Sequence, residues 1–271
     1  RLGVVVSVLF PLGVGENKSQ WRVGGSHSQL YQPSETMNVT FWAIVSLQLL
    51  SFTGASDSGI VGGKEAKPHS RPYMASLQVG KDHTCGGILI RQDFVLTSAH
   101  CKRAGMTVVL GAHNIGRQEA SQQRMEVAEF IPHPQYRKFV YDVMLLKLKR
   151  AAVLNKYVRP IELPKKGGRI RDHLRCAVAG WGRTGEDLPA SKVLKEATEE
   201  TLSRFKSDTG GPRLNVFCLQ GDSGGPLLCN NKLRGLMAFT VLNKCSHDEF
   251  PHVFMKVSFF VPWIQSVMQR F

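Results

Sequence analysis

Three short stretches hold side chains whose types and order can do chemistry together. In Gly221-Asp222-Ser223-Gly224-Gly225-Pro226 a serine stands among glycines. A serine hydroxyl is a weak nucleophile until a base takes its proton and hydrogen-bond donors receive the developing oxyanion. Glycines beside it let the backbone turn so that successive N–H groups face one hole, which a side chain would obstruct. Thr97-Ser98-Ala99-His100-Cys101 supplies a base: an imidazole at the end of a strand-like run, next to a cysteine able to pin its backbone. Tyr141-Asp142-Val143-Met144-Leu145-Leu146-Lys147-Leu148 supplies a carboxylate where an apolar strand opens. An aspartate in that position is ordinarily a solvated turn residue. Buried beside an imidazole, it instead holds the tautomer that accepts the serine proton.

Residues so far apart in the chain need a scaffold to bring them together. From Ile60 onward, short β-leaning runs alternate with turn signals, at 73–79, 87–90, 94–98, 107–110, 125–131, 143–148, 177–179, 227–228, 233–241 and 253–257. Regularly spaced short strands predict an all-β sandwich or barrel. The end differs, because Pro262-Trp263-Ile264-Gln265-Ser266-Val267-Met268 has helical apolar spacing with proline at a helix-start position. Residues 165–175 are basic and glycine-containing, which suits an exposed linker between two halves. Residues 195–213 are polar, with Glu-rich and Gly-Gly-Pro segments, and show little strand pattern.

The 271 residues suffice to bury a sizeable core, and 26 glycines suit a turn-rich β protein. A net charge of +14 fits an acidic partner such as a sulfated glycan, nucleic acid or anionic membrane, or simply a basic soluble surface. Cysteines at 85, 101, 176, 218, 229 and 245 include no Cys-x-x-Cys pair and match no zinc spacing. Their even number fits disulfides in a secreted chain. From Met37 an apolar run, too short to span a membrane comfortably, leads to Thr53 and Ala55 at the −3 and −1 positions of a signal-peptidase site. Between Met37 and that run there is no Lys or Arg. A signal peptide over 37–55 is therefore expected, with residues 1–36 an upstream segment outside the mature protein. The Asn-x-Ser/Thr sites, Asn17 and Asn38, both precede Ala55.

The three motifs, in the order histidine, aspartate, serine, resemble the chymotrypsin/trypsin-like serine proteases. Ile60-Val61-Gly62-Gly63 resembles the activated N-terminus of that family. Cys85-Gly86-Gly87, Ala179-Gly180-Trp181-Gly182 and Trp263-Ile264 match further landmarks. Within the family, the run from Gly63 to Met74 (Gly-Lys-Glu-Ala-Lys-Pro-His-Ser-Arg-Pro-Tyr-Met) looks most like granzymes and mast-cell proteases. The resemblance covers residues 60–271, with one gap. It implies an all-β fold of two six-stranded antiparallel β-barrels with a C-terminal helix, the second barrel being the one at risk of incompleteness.

The same resemblance implies a serine-type endopeptidase acting through an acyl-enzyme, with no cofactor and no metal. His100 would be general base and then acid, Asp142 its orienter and Ser223 the nucleophile. The backbone N–H groups of Gly221 and Ser223 would form the oxyanion hole. Removal of an activation peptide, 56–59, would free the Ile60 amine to pair with Asp222. The residue before that cut is Gly59, so an aminopeptidase or dipeptidyl peptidase is expected rather than a trypsin-like activator. Implied disulfides are Cys85–Cys101, Cys176–Cys229 and Cys218–Cys245; Cys218 sits one residue off the usual offset, so a free Cys218 stays open. Expected partners are protein or peptide substrates and a sulfated glycosaminoglycan on the basic surface. No specific nucleic acid and no transmembrane anchor are expected of this secreted or granule-stored monomer.

Two departures from the family concern the substrate pocket. Between Leu194 and Gly221 the chain is shorter than its relatives by roughly one strand and its loop, and Lys206-Ser207 stands where a cysteine would be. Phe217 or Cys218 falls nearest the pocket floor, with Gln220 beside it. The wall reads Ala238-Phe239-Thr240; Ala238 loses a hydroxyl that usually supports the aspartate, and Thr240 narrows the mouth. His252, after Pro251, stands where an open pocket has glycine. A basic group there favours acidic P1 residues, more so at low pH; the plain alternative is a histidine that fills the pocket. A second functional class follows from these departures: a catalytically impaired cationic homologue that binds acidic glycans or microbial surfaces. The intact histidine, aspartate and serine favour the enzyme.

Overall fold

A computed structural model describes residues 4–8, 63–138, 140–183, 189–202, 221–240 and 252–271. The first barrel uses β3 (Met74–Val79), β4 (Asp82–Arg91), β5 (Phe94–Thr97), β6 (Met106–Leu110), β7 (Gln123–Pro132) and β8 (Met144–Leu148), closed in the order β3-β4-β5-β8-β7-β6. Every pairing is antiparallel. Alternate side chains of a strand face opposite sides, so each strand needs apolar residues at every second position to fill the interior. Leu77, Leu89, Val95, Val108, Leu146 and Leu148 meet that demand and pack together without solvent exposure.

The second sheet contains β9 (Arg175–Gly180), β10 (Lys195–Leu202), β11 (Pro226–Cys229), β12 (Lys232–Thr240), β13 (His252–Lys256) and β1 (Val4–Val8). Its pairings run β1-β13-β12-β11-β9-β10, and β1 also pairs with β10, so the ring closes through β1. The two-residue β2 (Lys64–Glu65) extends the sheet from β10. Two six-stranded sheets, the first a closed barrel, and a terminal helix are therefore present; against expectation, the second takes its sixth strand from the upstream segment 1–36 rather than from residues 60–271. Between them lies an apolar seam that includes Phe94, Leu96, Leu145, Leu236, Phe260 and Ile264.

Two elements differ from the sequence reading. Residues 195–213 look irregular in sequence, yet their first part forms β10, paired with β9 from Lys195 to Glu200. The period of two is there, but the inward members are polar: Lys195, Glu199 and Thr201 are buried. A search for apolar alternation passes over such a strand. The helix α1 (Val257–Met268) begins five residues before Pro262, which lies inside it. Proline has no N–H to give to the carbonyl four residues back. Gly167 N–H donates to that Ser258 carbonyl at 3.1 Å instead, so the helix continues through the proline with the acceptor satisfied.

Candidate active site

The antiparallel register of β5 and β8 decides where the imidazole and its carboxylate meet. Thr97 is paired with Met144. Going forward from Thr97 and backward from Met144 leads to the same end of the barrel, where a 3-10 turn, Ala99–Cys101, presents His100 opposite Asp142. Asp142 Oδ2 lies 2.6 Å from His100 Nδ1, and Oδ1 accepts the His100 backbone N–H at 2.9 Å. One carboxylate thus sets both the ring and the turn that carries it. The Asp142 side chain is 1% exposed, whereas His100 is 34% exposed and open to a substrate. Arg103 donates to the His100 carbonyl at 2.8 Å and holds the turn from its other side. A buried carboxylate on Nδ1 leaves Nε2 as the acceptor, as general-base work requires.

Ser223 arrives from the second barrel, three residues before β11. Its carbonyl accepts the Gly86 N–H of β4 at 2.8 Å. The Met237 carbonyl of β12 accepts both Gly224 N–H at 2.7 Å and the Ser98 hydroxyl at 2.7 Å. Met237 N–H donates to the Gly225 carbonyl at 2.9 Å. Ser98, just before the turn that carries His100, and Gly86 of β4 thus help to tie down the serine loop. Gly224 has φ +84°, and a Cβ there would run into the Thr97 hydroxyl and the Gly86 carbonyl. The Cys101 sulfur sits 3.8 Å from both His100 Nε2 and the Ser223 carbonyl, at the junction of the two halves.

Disulfide bonds join Cys85 to Cys101 and Cys176 to Cys229. The first ties β4 to the His100 turn; the second ties β9 to the end of β11. Cys85, His100 and Cys101 are close enough to suggest a metal site by distance alone. Both sulfurs are committed to the disulfide and leave no thiolate for a metal.

Asp222 is buried, and its Oδ1 accepts Gly182 N–H at 2.7 Å. The carboxylate presses so closely on Gly182 that a Cβ at that position would overlap it. Its expected ion-pair partner, Ile60, lies outside the described residues, as do Phe217, Cys218, Gln220 and Cys245. So do the expected signal and activation peptides. Of the expected pocket wall, Ala238 is buried, and Phe239 and Thr240 end β12 beside Val253 and His252 of β13.

One residue that the motifs do not announce is His83. Its Nε2–H donates to the Gly221 carbonyl at 2.9 Å, and its Nδ1 accepts the Ser76 hydroxyl at 2.8 Å. Gln78 donates to Ser76 at 3.1 Å, and Arg124 donates to Gln78 at 2.7 Å. A polar chain therefore runs from the barrel wall to the loop that holds Gly221 and Ser223. Burial pushes the His83 imidazole down to about 4, against the opposing effect of the Gly221 bond, with Lys192 adding to the depression. It stays neutral in the tautomer this chain needs. No sequence signal marks it, since Asp82-His83-Thr84 matches no motif.

The sequence pattern of the family described as "Trypsin" matches residues 60–264. Duodenase-1 from Bos taurus is 41% identical, over 84% of this chain and 96% of its own length. Granzyme E from Mus musculus is 43% identical over 83% and 98%, and human cathepsin G is 41% identical over 83% and 94%. Among solved structures, neuropsin, a serine protease expressed in the limbic system of mouse brain, aligns with TM-score 0.68 at 31% identity. That alignment covers 76% of this chain and 98% of the other. A fold of paired barrels with His100, Asp142 and Ser223 at their seam defines a chymotrypsin-like serine protease. The chain belongs to the trypsin family. It is a serine-type endopeptidase, and proteins or peptides are its substrates.

Proposed function

We propose that this endopeptidase cuts peptide bonds by acyl transfer to Ser223. His100 takes the serine proton and later gives it to the leaving amine, and Asp142 holds the ring. The observation that carries this reading is the doubly bonded Asp142, which sets the imidazole and its turn together while the same region anchors the Ser223 loop. Backbone N–H groups of Gly221 and Ser223 receive the oxyanion. An Ile60 amine, freed when 56–59 is removed, pairs with Asp222 to order that loop. In a chain started at Met37, residues 37–55 are the signal peptide, and 60–271 is the secreted or granule-stored, monomeric protease domain. Among the described residues no helix is long and apolar enough to cross a membrane. A fluorophosphonate probe tests the chemistry. The processed protein takes the label at Ser223 and the Ser223→Ala variant does not; an unlabelled processed protein overturns the reading.

Two finer assignments follow. His252, where β13 begins beside Thr240, favours aspartate or glutamate at P1 when protonated. Lys165, Lys166, Arg169, Arg171 and Arg175 are exposed along one stretch and present cations to a sulfated glycosaminoglycan. Lys165 also lines a cavity of about 650 Å³ with Arg159, Lys232 and Arg234.

A further inference from the structure

We propose that Val4–Val8 is the closing strand of the second barrel, donated in cis to a slot between β10 and β13. The register is continuous on both sides. Val4, Val5, Val6 and Ser7 pair with Met255, Phe254, Val253 and His252, while Val6, Ser7 and Val8 pair with Leu202, Thr201 and Glu200. Val6 and Ser7 are thus bracketed by two neighbours at once, as a central strand is and an edge strand is not. The composition suits the place, because four valines in Val-Val-Val-Ser-Val favour extended backbone and four-fifths of the segment has no charge or turn residue. Without it, β10 and β13 each present a row of unpaired N–H and C=O groups, which is costly and prone to capture other strands. The slot therefore recognises an extended, β-branched segment through main-chain hydrogen bonds, and the chain carries that segment itself.

The stretch between β10 and β11 is where the chain is short of a strand relative to the family pattern. The closing strand lies between β10, which leads into that stretch, and β13. A chain started at Met37 lacks it, as does the processed 60–271 domain, so the full chain differs from both at this slot.

Register-specific cross-linking of the full chain tests the proposal. The double variant Val8→Cys/Glu200→Cys places cysteines at partnered positions. On mild oxidation it should give a linked peptide pair, identified by mass spectrometry, in protein of monomer mass. Ser7→Cys/Glu200→Cys puts the sulfurs on opposite faces of the sheet and should not link. Failure of the first pair, or equal yield from both, overturns the strand; a link found only at dimer mass overturns donation in cis. Val6→Pro removes a main-chain donor, and hydrogen exchange should then quicken in β10 and β13 while β3 to β8 keep their protection. Unchanged protection in β10 and β13 also overturns the proposal. None of these readouts needs activity, so they test the strand in the full chain apart from the protease reading, which is tested by labelling of the processed protein.

Discussion

The two barrels solve one closure problem with different material. The first draws all its strands from residues 74–148 and fills its interior with side chains such as Leu77, Val95, Leu110 and Leu146. The second gathers strands from positions as distant as 4 and 256, and it buries Lys195, Glu199 and Thr201 as well as the apolar Val178, Leu227 and Phe254. Local apolar strands specify their own register, since a one-residue slip turns every apolar side chain outward. Polar strands with distant partners are specified only when those partners arrive. This division cuts through the site. His100 and Asp142 come from the self-sufficient barrel, whereas Ser223 and the pocket wall come from the dependent one.

The largest effect should come from breaking the seam itself. Ser223→Ala and His100→Ala are each expected to lower single-turnover peptide hydrolysis by about 10^4-fold or more, with the double variant no slower than either single one. A further large drop in the double variant would show that the two barrels contribute independently. Next come the interiors. Leu146→Ala in the first barrel should cost about 3 kcal/mol in urea unfolding, from lost burial plus a cavity. Thr201→Val in the second should cost about 1–2 kcal/mol. It removes a hydroxyl that accepts the Leu174 N–H and donates to the Arg171 carbonyl. The reverse order would overturn the contrast.

A third experiment uses pH. His83 is held at about 4 when folded and returns to about 6.5 when unfolded. Between those values the unfolded chain binds a proton that the folded chain refuses. The His83 contribution to stability is therefore complete above pH 6.5 and is lost as pH falls toward 4. His83→Gln should flatten the dependence of unfolding free energy on pH in that window. An unaltered slope would remove His83 from the account of how the Gly221 loop is held. The smallest effect is at the surface: replacing Lys165 and Lys166 with Gln should lower the salt needed to elute the protein from immobilised heparin, without changing the pH profile of hydrolysis. No change in elution would exclude that stretch as the glycan contact.

Much of the site was legible because its chemistry needs particular residues in particular backbone settings. A serine between glycines, a histidine beside a cysteine and an aspartate before Val143-Met144-Leu145-Leu146 keep their meaning without a fold. His83 was not legible, because its role comes from contacts with Ser76 and with Gly221, far along the chain. β10 was missed because burial of Lys195 and Glu199 reverses the usual link between apolar pattern and interior. The proline in α1 misled for a related reason: its cost inside a helix falls when Gly167 takes the orphaned carbonyl.

By itself the sequence determined the reaction type, the three residues proposed to perform it and the all-β class, because each depends on residue chemistry or on local apolar periodicity. Only the tertiary structure decided how the serine loop is anchored across the seam, why His83 stays neutral and how the second barrel closes. Those depend on groups brought together over long separations, where a hydrogen bond or a strand edge is satisfied by a partner that no local pattern announces.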